Sequence, residues 1–419
     1  MSGNSARSRR CIILAASVAM AIAGFACGQV LYTAQTLNST ACSGGNALLA
    51  SRINNSGTVV GRGSPCFSLA LLPFRWTPET GVEYLTFGPG SAEGWATAVH
   101  DDGTIVGYTG PGFLGPMKGF IWKDGAYTLF AAPNPQDSVQ PYAIDAEGTV
   151  HGYLYANNGN SLIPFRWQDG EYLPTGLEDG PLDYLLFDAN DAGVVVGYHS
   201  SPAPPVASSF RLFADGPAYI AMPSAYSYNQ VYAVNRQGTL AGRLALPLTP
   251  LGQTIFHGFI AEGDDAEPVF ALTDLGHNSC ELRDINDIGQ AVGISKCSTC
   301  PAAKTVPPKA ILVIDGVPHN LNDLLAEPVP FKLLEGRTIN DRGQIACSAT
   351  LSKNLVLLTP IVEPPDITID GKVDLRDLAI VLEHWGAVSQ LTPLRADIDE
   401  SGTIDAADLA RVLGAWTPR

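Results

Sequence analysis

Two twelve-residue segments near the C-terminus place oxygen-bearing side chains at alternate positions around a glycine. They are 366–377, "DITIDGKVDLRD", and 397–408, "DIDESGTIDAAD". Calcium binds six to eight oxygen ligands, and alternate positions of a tightly curled loop direct their oxygens inward. Aspartates also occur in plain acidic turns, where they stabilise the N-terminus of a following helix. Two matching loops, 31 residues apart (397 − 366), favour calcium over that alternative.

The predicted ligands stand at positions 1, 3, 5, 7, 9 and 12 of each loop. In the second loop they are Asp397, Asp399, Ser401, Thr403, Asp405 and Asp408. In the first loop they are Asp366, Thr368, Asp370, Lys372, Asp374 and Asp377. Thr403 and Lys372 would contribute only their carbonyl oxygens. Thr368 replaces a carboxylate, so we expect two Ca²⁺ sites of which the 397–408 site is the tighter.

A short amphipathic helix is predicted after each loop. "LAIVLEHW" and "LARVLGAW" repeat their apolar residues at the same offsets, which are Leu378, Val381, Leu382 and Trp385, then Leu409, Val412, Leu413 and Trp416. A duplicated loop and helix over 366–417 resembles a type I dockerin module. The resemblance implies structural calcium and attachment to a cohesin-like or cell-surface protein. Loop positions 10 and 11 depart from the family, because Leu375–Arg376 and Ala406–Ala407 stand where Ser/Thr-type contact residues are common.

The rest of the chain repeats one phrase at intervals of about 45 residues, which is typical of propellers and solenoids. The copies are "INNSGTVVG", "VHDDGTIVG", "IDAEGTVHG", "ANDAGVVVG", "VNRQGTLAG", "INDIGQAVG" and "INDRGQIAC". Their first glycines are Gly57, Gly103, Gly148, Gly193, Gly238, Gly289 and Gly343. An apolar-aromatic segment such as "PFRW" or "GFIW" follows each phrase, and a "Y-x-L" segment comes next in every repeat except the last, which predicts about four strands per repeat.

The last repeat lacks its "Y-x-L" strand, whereas "VLYTAQTL" at 30–37 is unpaired. We expect this N-terminal strand to complete the last blade, since closure removes exposed edge strands. The predicted fold is an all-β seven-bladed β-propeller over 30–358, followed by the small α-helical, EF-hand-like module at 366–419. An open β-solenoid is the alternative to the propeller. Residues 359–365, "TPIVEPP", are interpreted as a stiff linker.

The phrase itself is interpreted as a β-turn. Its acidic position is occupied by Asp, Asn, Glu or Arg236 in different copies, and an arginine is incompatible with a calcium ligand set. A turn needs only Asn or Asp as a cap and glycine for positive φ. The copies resemble extracellular HAF repeats over about residues 45–358, on "INDIGQAVG" and "GFIW". That resemblance implies an exported, propeller-like repeat protein.

Residues 1–28 are predicted to be a secretory signal peptide, with Arg7, Arg9 and Arg10 before the apolar run "CIILAASVAMAIAGFA". No other run is long enough to span a bilayer. The protein is therefore expected to be secreted or at the cell surface. A formal charge of −16 and no basic stripe argue against a nucleic-acid partner.

Export makes disulfides the expected state of the remaining cysteines, Cys42, Cys66, Cys280, Cys297, Cys300 and Cys347. Six cysteines allow 15 pairings, so the connectivity stays open. The single CxxC, at 297–300, lacks the second pair or histidine that a zinc site requires.

The sequence contains no GxSxG, HExxH or phosphate-binding glycine loop. Trp76, Trp122 and Trp167 recur in one strand type and are predicted to pack between blades, while Trp95 is interpreted as loop packing. His151 is expected to be structural.

The predicted function is therefore a non-enzymatic binding or structural propeller with a polysaccharide or protein ligand on one face. The alternative is a polysaccharide-active hydrolase or lyase, which would need paired carboxylates near the propeller axis. Loops at 244–257, 297–309 and 322–336 are the expected carriers of specificity.

Overall fold

The structure is a computed structural model that describes residues 30–37, 48–65, 68, 70–88, 91–112, 115–156, 161–175, 177, 183–200, 208–213, 216–250, 252–263, 266–272, 276–300, 306–350, 355–388 and 395–417. The chain divides into two compact units. One comprises Ala34–Asp323 and Val329–Thr359. The other contains the described residues of Pro360–Arg419, together with Leu324–Pro328 and residues 30–33.

The first unit is a seven-bladed β-propeller, since its described strands form seven four-stranded sheets. Blades 1 to 3 are built from β2 (Leu48–Ile53), β3 (Val59–Gly63), β4 (Leu72–Thr77), β5 (Gly81–Tyr84), β6 (Glu93–Val99), β7 (Ile105–Gly110), β8 (Lys118–Lys123), β9 (Ala126–Phe130), β10 (Ser138–Ile144), β11 (Val150–Ala156), β12 (Ser161–Gln168) and β13 (Glu171–Leu173). Within each of these blades, sequential strands are antiparallel neighbours.

The remaining blades follow the same plan. Blades 4 to 6 are built from β14 (Asp183–Ala189), β15 (Val195–Ser200), β16 (Ser208–Phe213), β17 (Gly216–Tyr219), β18 (Tyr228–Val234), β19 (Leu240–Ala245), β20 (Phe256–Ala261), β21 (Glu267–Val269), β22 (Ser279–Ile285), β23 (Ala291–Lys296), β24 (Lys309–Ile314) and β25 (Val317–Asn320). A 3-10 turn, Leu321–Asp323, follows β25. Blade 7 contains β26 (Leu333–Ile339), β27 (Ile345–Ala349) and β28 (Leu355–Ile361), with β1 (Leu31–Leu37) added beside β28.

This last sheet confirms the predicted closure. β1 from the N-terminal end supplies the fourth strand of a blade whose other strands come from residues 333–361. The ring is thereby closed and the exposed edge of an open array is removed. β28 runs on to Ile361, so the strand extends into the segment that the sequence assigned to the linker.

The repeated phrase forms the turn between the first two strands of every blade, as predicted. The first glycine has a positive φ in each copy, for example 84° at Gly57 and 81° at Gly289, a conformation that side-chain-bearing residues rarely adopt. The second glycine of the phrase is required for a different reason, which is the close approach of the neighbouring strand. At Gly242 an added Cβ would lie 2.2 Å from the carbonyl oxygen of Gln230, beside the β-bulge between Val231 and Ala233.

Blade 7 carries Cys347 where the other blades have this second glycine. It is tolerated because Cys347 pairs with Gly336 and β26 contains two irregularities instead of one. The glycine that leaves room for the close approach of the two strands is therefore Gly336 on β26, because β27 has a cysteine at this position.

Aromatic residues of the third strands fill the spaces between blades. The phenylalanines Phe74, Phe120, Phe165, Phe210 and Phe259 are all buried. Trp76, Trp122 and Trp167 are also buried, and Trp167 stacks on Phe130 with 4.5 Å between ring centroids. The prediction that these tryptophans pack in the core is confirmed.

The asparagine of the phrase also joins neighbouring blades. Its side-chain oxygen accepts from the backbone of its own turn, as at Asn235 from Thr239 N at 2.8 Å. Its side-chain NH₂ donates to the corresponding carbonyl of the next blade at 2.7–3.2 Å. The members of this asparagine ring are Asn54, Asn190, Asn235, Asn286 and Asn340. Blades 2 and 3 carry His100 and Asp145 instead.

The second unit contains two short helices, α1 (Leu375–Glu383) and α2 (Ala406–Gly414), and two short strands, β29 (Gly386–Ala387) and β30 (Thr403–Ile404). Its core consists of Ile367, Val373, Val381, Ala396, Ile404 and Val412. The duplication is visible in the packing, because β29 after α1 pairs with β30 in the second loop. In the same way Thr417, after α2, hydrogen-bonds Val373 in the first loop.

Among the described residues, no helix is long and apolar enough to cross a bilayer. The predicted signal peptide at 1–28 lies outside the described residues, as do Cys42 and Cys66. Cys297 and Cys300 form a disulfide, whereas Cys280 and Cys347 are buried free thiols. For these two residues the expected disulfide state is wrong, because each thiol is enclosed within the packed interior of the propeller.

Candidate calcium loops and an axial chamber

The second loop brings three predicted ligands together. Carboxylate oxygens of Asp397, Asp399 and Asp408 lie within 4.8 Å of one another. Asp397 accepts from the backbone N–H groups of Ser401 and Gly402 at 3.0 and 2.7 Å. These bonds curl the loop around its first carboxylate, with Gly402 at a positive φ of 83°. Such a donor set of hard oxygens fits a calcium ion.

Position 12 closes each loop from the first turn of the helix. In the second loop, Asp408 accepts from Ile398 N at 2.8 Å and from Asp405 N at 2.9 Å. Asp405, at position 9, is also the N-cap of α2 and accepts from Ala407 N. The loop and helix are therefore one structural element. The aspartates cap the helix, as the alternative interpretation predicted, and three of the loop's aspartates also form the ligand cluster.

The first loop repeats this geometry. Asp366 accepts from Asp370 N and Gly371 N, and Asp377 accepts from Ile367 N at 2.8 Å. Asp377 also accepts from the Thr368 hydroxyl at 3.1 Å. Burial and the neighbouring Asp377 raise the pKa of Asp366 to about 7. Two of the four aspartates in the first loop, Asp366 and Asp377, are buried, and so much negative charge in one small loop favours a cation.

Three of the other predicted ligands contribute in subsidiary ways. The Ser401 hydroxyl donates to the Thr403 carbonyl at 3.0 Å. Asp370 accepts from Lys372 N at 2.9 Å. Asp374 is the N-cap of α1 and accepts from Arg376 N.

The apolar faces of the two helices differ from the prediction. Val381 and Val412 are buried in the module core, with Leu378 and Leu409 packed against it. However, the other members of the predicted faces are exposed, with relative accessibilities of 54% for Leu382, 50% for Trp385, 53% for Leu413 and 37% for Trp416. A nine-residue helix on a small core cannot bury all four apolar positions. One leucine and one tryptophan per repeat, Leu382 with Trp385 and Leu413 with Trp416, are therefore exposed to solvent.

The propeller axis carries two cavities, one on each side of Arg52, which borders both. The turn side is the side that carries the repeated glycine phrases, and the loop side is the opposite one. On the turn side a cavity of about 160 Å³ is lined by the turns of the inner strands. On the loop side a larger cavity of about 440 Å³, here named the axial chamber, is lined by side chains from all seven blades.

The walls of the axial chamber are aromatic and cationic. The aromatic side chains are Trp95, Tyr142, Phe187 and Tyr232, and the charged ones are Arg52, Arg283, Arg337 and Glu335. Glu335 accepts from Arg283 Nε at 2.8 Å and from Arg337 Nη1 at 2.9 Å. One carboxylate thus serves two guanidinium groups. Burial lowers the pKa of Arg337, and the nearby cations Arg283 and Arg62 lower it further while Glu335 opposes them.

Arg52 forms the floor of the chamber. It donates to Asp188 at 2.6 Å and to Asp284 at 2.7 Å, so it joins blades 1, 4 and 6 across the axis. Both carboxylates also accept from the next blade, Asp188 from Val234 N and Asp284 from Ile339 N. Burial raises the pKa of Asp188 to about 6, although Arg52 acts against that increase.

The turn-side cavity is mainly acidic. Asp287 N donates to Asp341 at 2.7 Å, and Arg236 lies between Asp191 at 3.0 Å and Asp287 at 3.5 Å. Burial and the nearby Asp287 raise the pKa of Asp341 to about 7. The hydrogen bond to Asp191 is the main cause that raises the pKa of His100 to about 9.

The two sides also differ in their connections. On the turn side, the first two strands of each blade are joined by turns of the same length, such as Asn54–Thr58 and Asn286–Gln290. On the loop side, the connections vary in length, and those between β19 and β20 and between β23 and β24 are among the long ones. The described residues of the loops that the sequence predicted to carry specificity therefore lie on the side of the axial chamber.

Sequence reasoning missed most of the chamber. Trp95 was interpreted as loop packing, but it lies in the inner strand β6, donates to Ser51 at 2.6 Å and stacks under Arg62. The available signal was positional: Tyr142, Phe187, Tyr232, Arg283 and Arg337 all stand six residues before the phrase glycine of their own repeat. The buried His151, bonded to Asp145 at 2.9 Å, is structural as predicted.

Comparison with known protein families supports the predicted dockerin-like module at the C-terminal end. Residues 364–414 match the family described as the Dockerin type I domain. A comparison with curated proteins finds no match.

Several solved structures resemble the chain at low identity. An oligogalacturonate lyase from Vibrio parahaemolyticus is 10% identical with a TM-score of 0.49, covering 80% of this chain and 98% of that one. A virginiamycin B lyase from Staphylococcus aureus is 12% identical with a TM-score of 0.44, covering 79% and 100%. U3-55K is 8% identical with a TM-score of 0.45, covering 78% and 98%. Similarity at this level carries nothing about ligand or activity.

Proposed function

We propose that this chain is an exported binding protein whose propeller is attached to a scaffold or cell surface through its calcium-dependent C-terminal module. The observation that carries the proposal is the duplicated calcium-loop geometry within the residues that match the Dockerin type I domain. Domains of that type bind cohesins, so a cohesin-like protein is the proposed partner. The resemblance of the propeller to extracellular HAF repeats fits the same proposal.

The attachment is proposed to depend on the two calcium loops. Each loop joins its helix through the position-12 aspartate, so calcium would stabilise the fold of the loop and the helix together. The exposed residues Leu382, Trp385, Leu413 and Trp416 occur in two equivalent pairs and offer an apolar surface for the partner. Leu375, at position 10 of the first loop, is also exposed.

The test is a capture experiment with the full mature chain and envelope or secreted fractions of its own organism, in calcium and in chelator. A partner held only in calcium is expected. Asp397→Asn combined with Asp408→Asn should abolish its capture, because both carboxylates belong to the second ligand cluster. Asp169→Asn removes a charge from a turn of the propeller, not from a calcium loop, and should leave capture unchanged. Capture that persists in chelator would contradict the proposal.

A hydrolase or lyase remains the second candidate, on the basis of the Asp287–Asp341 pair. Carboxyl groups with raised pKa values are common in active sites, and Asp341 has this property. By contrast, Asp188 and Asp284 are both bound by Arg52, which makes them unsuitable as an acid and base pair. Release of reducing or unsaturated ends from acidic or neutral glycans, lost in Asp341→Asn, would establish the enzyme instead of the binding protein.

A further inference from the structure

The axial chamber has the composition of a small-molecule site that differs from the rest of the protein surface. The chain has a formal charge of −16, yet the chamber contains three arginines and a single carboxylate among its described lining residues. Two of those arginines, Arg283 and Arg337, share Glu335. Arg52 is already paired with Asp188 and Asp284, so the excess positive charge of the chamber comes from Arg283 and Arg337, which have one carboxylate between them.

Arginine 283 is well placed to receive an anion. Its Nε is engaged by Glu335 at 2.8 Å, and one Nη lies 3.5 Å from Glu281. Glu281 is already bound by Arg243 at 2.8 Å and by Lys296, so it has little capacity left for Arg283. Half-buried guanidinium groups bind carboxylates through paired hydrogen bonds, more strongly than neutral donors do.

The aromatic walls indicate the shape of the ligand. Phe187 and Tyr232 lie with ring centroids 5.9 Å apart and nearly edge to face. Tyr142 accepts a hydrogen bond from the Tyr153 hydroxyl at 2.9 Å, which leaves its own O–H available as a donor. Aromatic faces with a polar group at one end suit a ring that has a flat apolar face and polar substituents at its edge.

Glu335 selects between two kinds of acidic ring. Its carboxylate lines the chamber and can only accept hydrogen bonds. An aromatic acid without hydroxyl groups, such as benzoate, offers it no donor. A sugar acid supplies both the carboxylate that the arginines require and hydroxyl groups that can donate to Glu335.

We propose that the axial chamber binds a sugar acid, a six-membered hydroxylated ring that carries a carboxylate. The carboxylate pairs with Arg283 and Arg337, the flat face of the ring packs on Phe187 and Tyr232, and a hydroxyl donates to Glu335. A volume of about 440 Å³ is within the range of small-molecule sites. The ligand can arrive as a free sugar acid or as the end of an acidic glycan, since both offer the same group. This inference rests on the proposed binding role of the propeller and specifies its ligand.

The test is calorimetric titration of the full mature chain with D-glucuronate, glucose, benzoate and a glucuronate-terminated oligosaccharide. Glucuronate is expected to bind at least ten times more tightly than glucose, because only it pairs with the arginines. Tighter binding of the oligosaccharide than of glucuronate would identify a glycan end as the source, and equal binding would identify the free sugar acid. Both results support the proposal. Equal binding of glucose, equal binding of benzoate, or no binding of glucuronate would overturn it.

Variants localise the site. Arg283→Gln should weaken glucuronate binding at least tenfold, and Phe187→Ala should weaken binding without changing the preference for glucuronate over glucose. Arg236→Gln makes the same charge change in the turn-side cavity and is the matched control. An Arg236→Gln loss equal to that of Arg283→Gln would overturn the assignment. Should Arg283→Gln fail to fold, Phe187→Ala and the ligand series still decide the question.

The titrations are repeated in chelator, because no chamber residue belongs to the calcium loops. Failure of glucuronate binding in a preparation that still captures its partner in calcium would refute the chamber ligand alone. Calcium-independent glucuronate binding without any partner would instead refute the proposed attachment.

Discussion

Replacement of Arg52 by methionine should destabilise the propeller strongly. The guanidinium joins Asp188 and Asp284 at 2.6 and 2.7 Å, and all three side chains have low exposure, at 17%, 11% and 7%. Methionine fills a similar volume but leaves two buried carboxylates without their cation. Removal of one partner from a buried ion pair typically costs about 3–5 kcal/mol, and we expect a loss in that range for the free energy of unfolding.

The loss should depend on pH in a defined direction. Burial already raises the pKa of Asp188 to about 6 in the folded protein, above the value of about 3.9 for an unfolded chain. A carboxyl group with a raised folded pKa loses stability as the pH rises from the unfolded value through the folded one. Without Arg52 the folded pKa rises further. The deficit of Arg52→Met relative to the natural protein should therefore be largest at pH 8 and shrink toward pH 5.

The assay is urea unfolding in excess calcium, followed by the fluorescence of the buried propeller tryptophans. The triple variant Arg52→Met, Asp188→Asn, Asp284→Asn removes all three charges and should regain most of the lost stability, since whole buried ion networks are often replaceable. A loss below about 1 kcal/mol for Arg52→Met, less than the penalty for leaving a buried charge unpaired, would refute the reasoning. So would a triple variant no more stable than the single one.

Three further outcomes are expected. Gly242→Ala should lower the free energy of unfolding by about 1–3 kcal/mol, since its Cβ would meet the Gln230 carbonyl at 2.2 Å, whereas Gly263→Ala has open space and should be neutral in the same urea series. Asn235→Asp keeps the acceptor of the turn but removes the donor to the Asn286 carbonyl, which should lower the free energy of unfolding by about 1 kcal/mol. An unchanged urea midpoint would contradict a stabilising role for the asparagine ring. Chelation of calcium should remove the protection of amide hydrogens in α1 and α2 while that of the propeller strands persists, as measured by hydrogen exchange; equal loss in both units would contradict a calcium effect local to the loops.

Much of the architecture was determined by the sequence. The period of the glycine phrase predicted the blades, because each turn needs a residue that tolerates positive φ, and φ is a local property of the chain. The unpaired strand at 30–37 predicted closure of the ring, because only the last of the seven repeats lacked a strand. The calcium loops were likewise visible, since all ligands of one loop lie within twelve consecutive residues.

Tertiary structure alone decided what lies at the axis. Arg52, Asp188 and Asp284 are separated by 136 (188 − 52) and 96 (284 − 188) residues, and only ring closure brings them within hydrogen-bonding distance. The interpretation of Trp95 as loop packing was wrong for the same reason, because its neighbours in the chamber come from other blades. Likewise, the second role of the phrase asparagine depends on the carbonyl of the adjacent blade. A site whose residues are consecutive, such as a calcium loop, can be predicted from the sequence. A site assembled from seven repeats exists only once the repeats are arranged around a common axis.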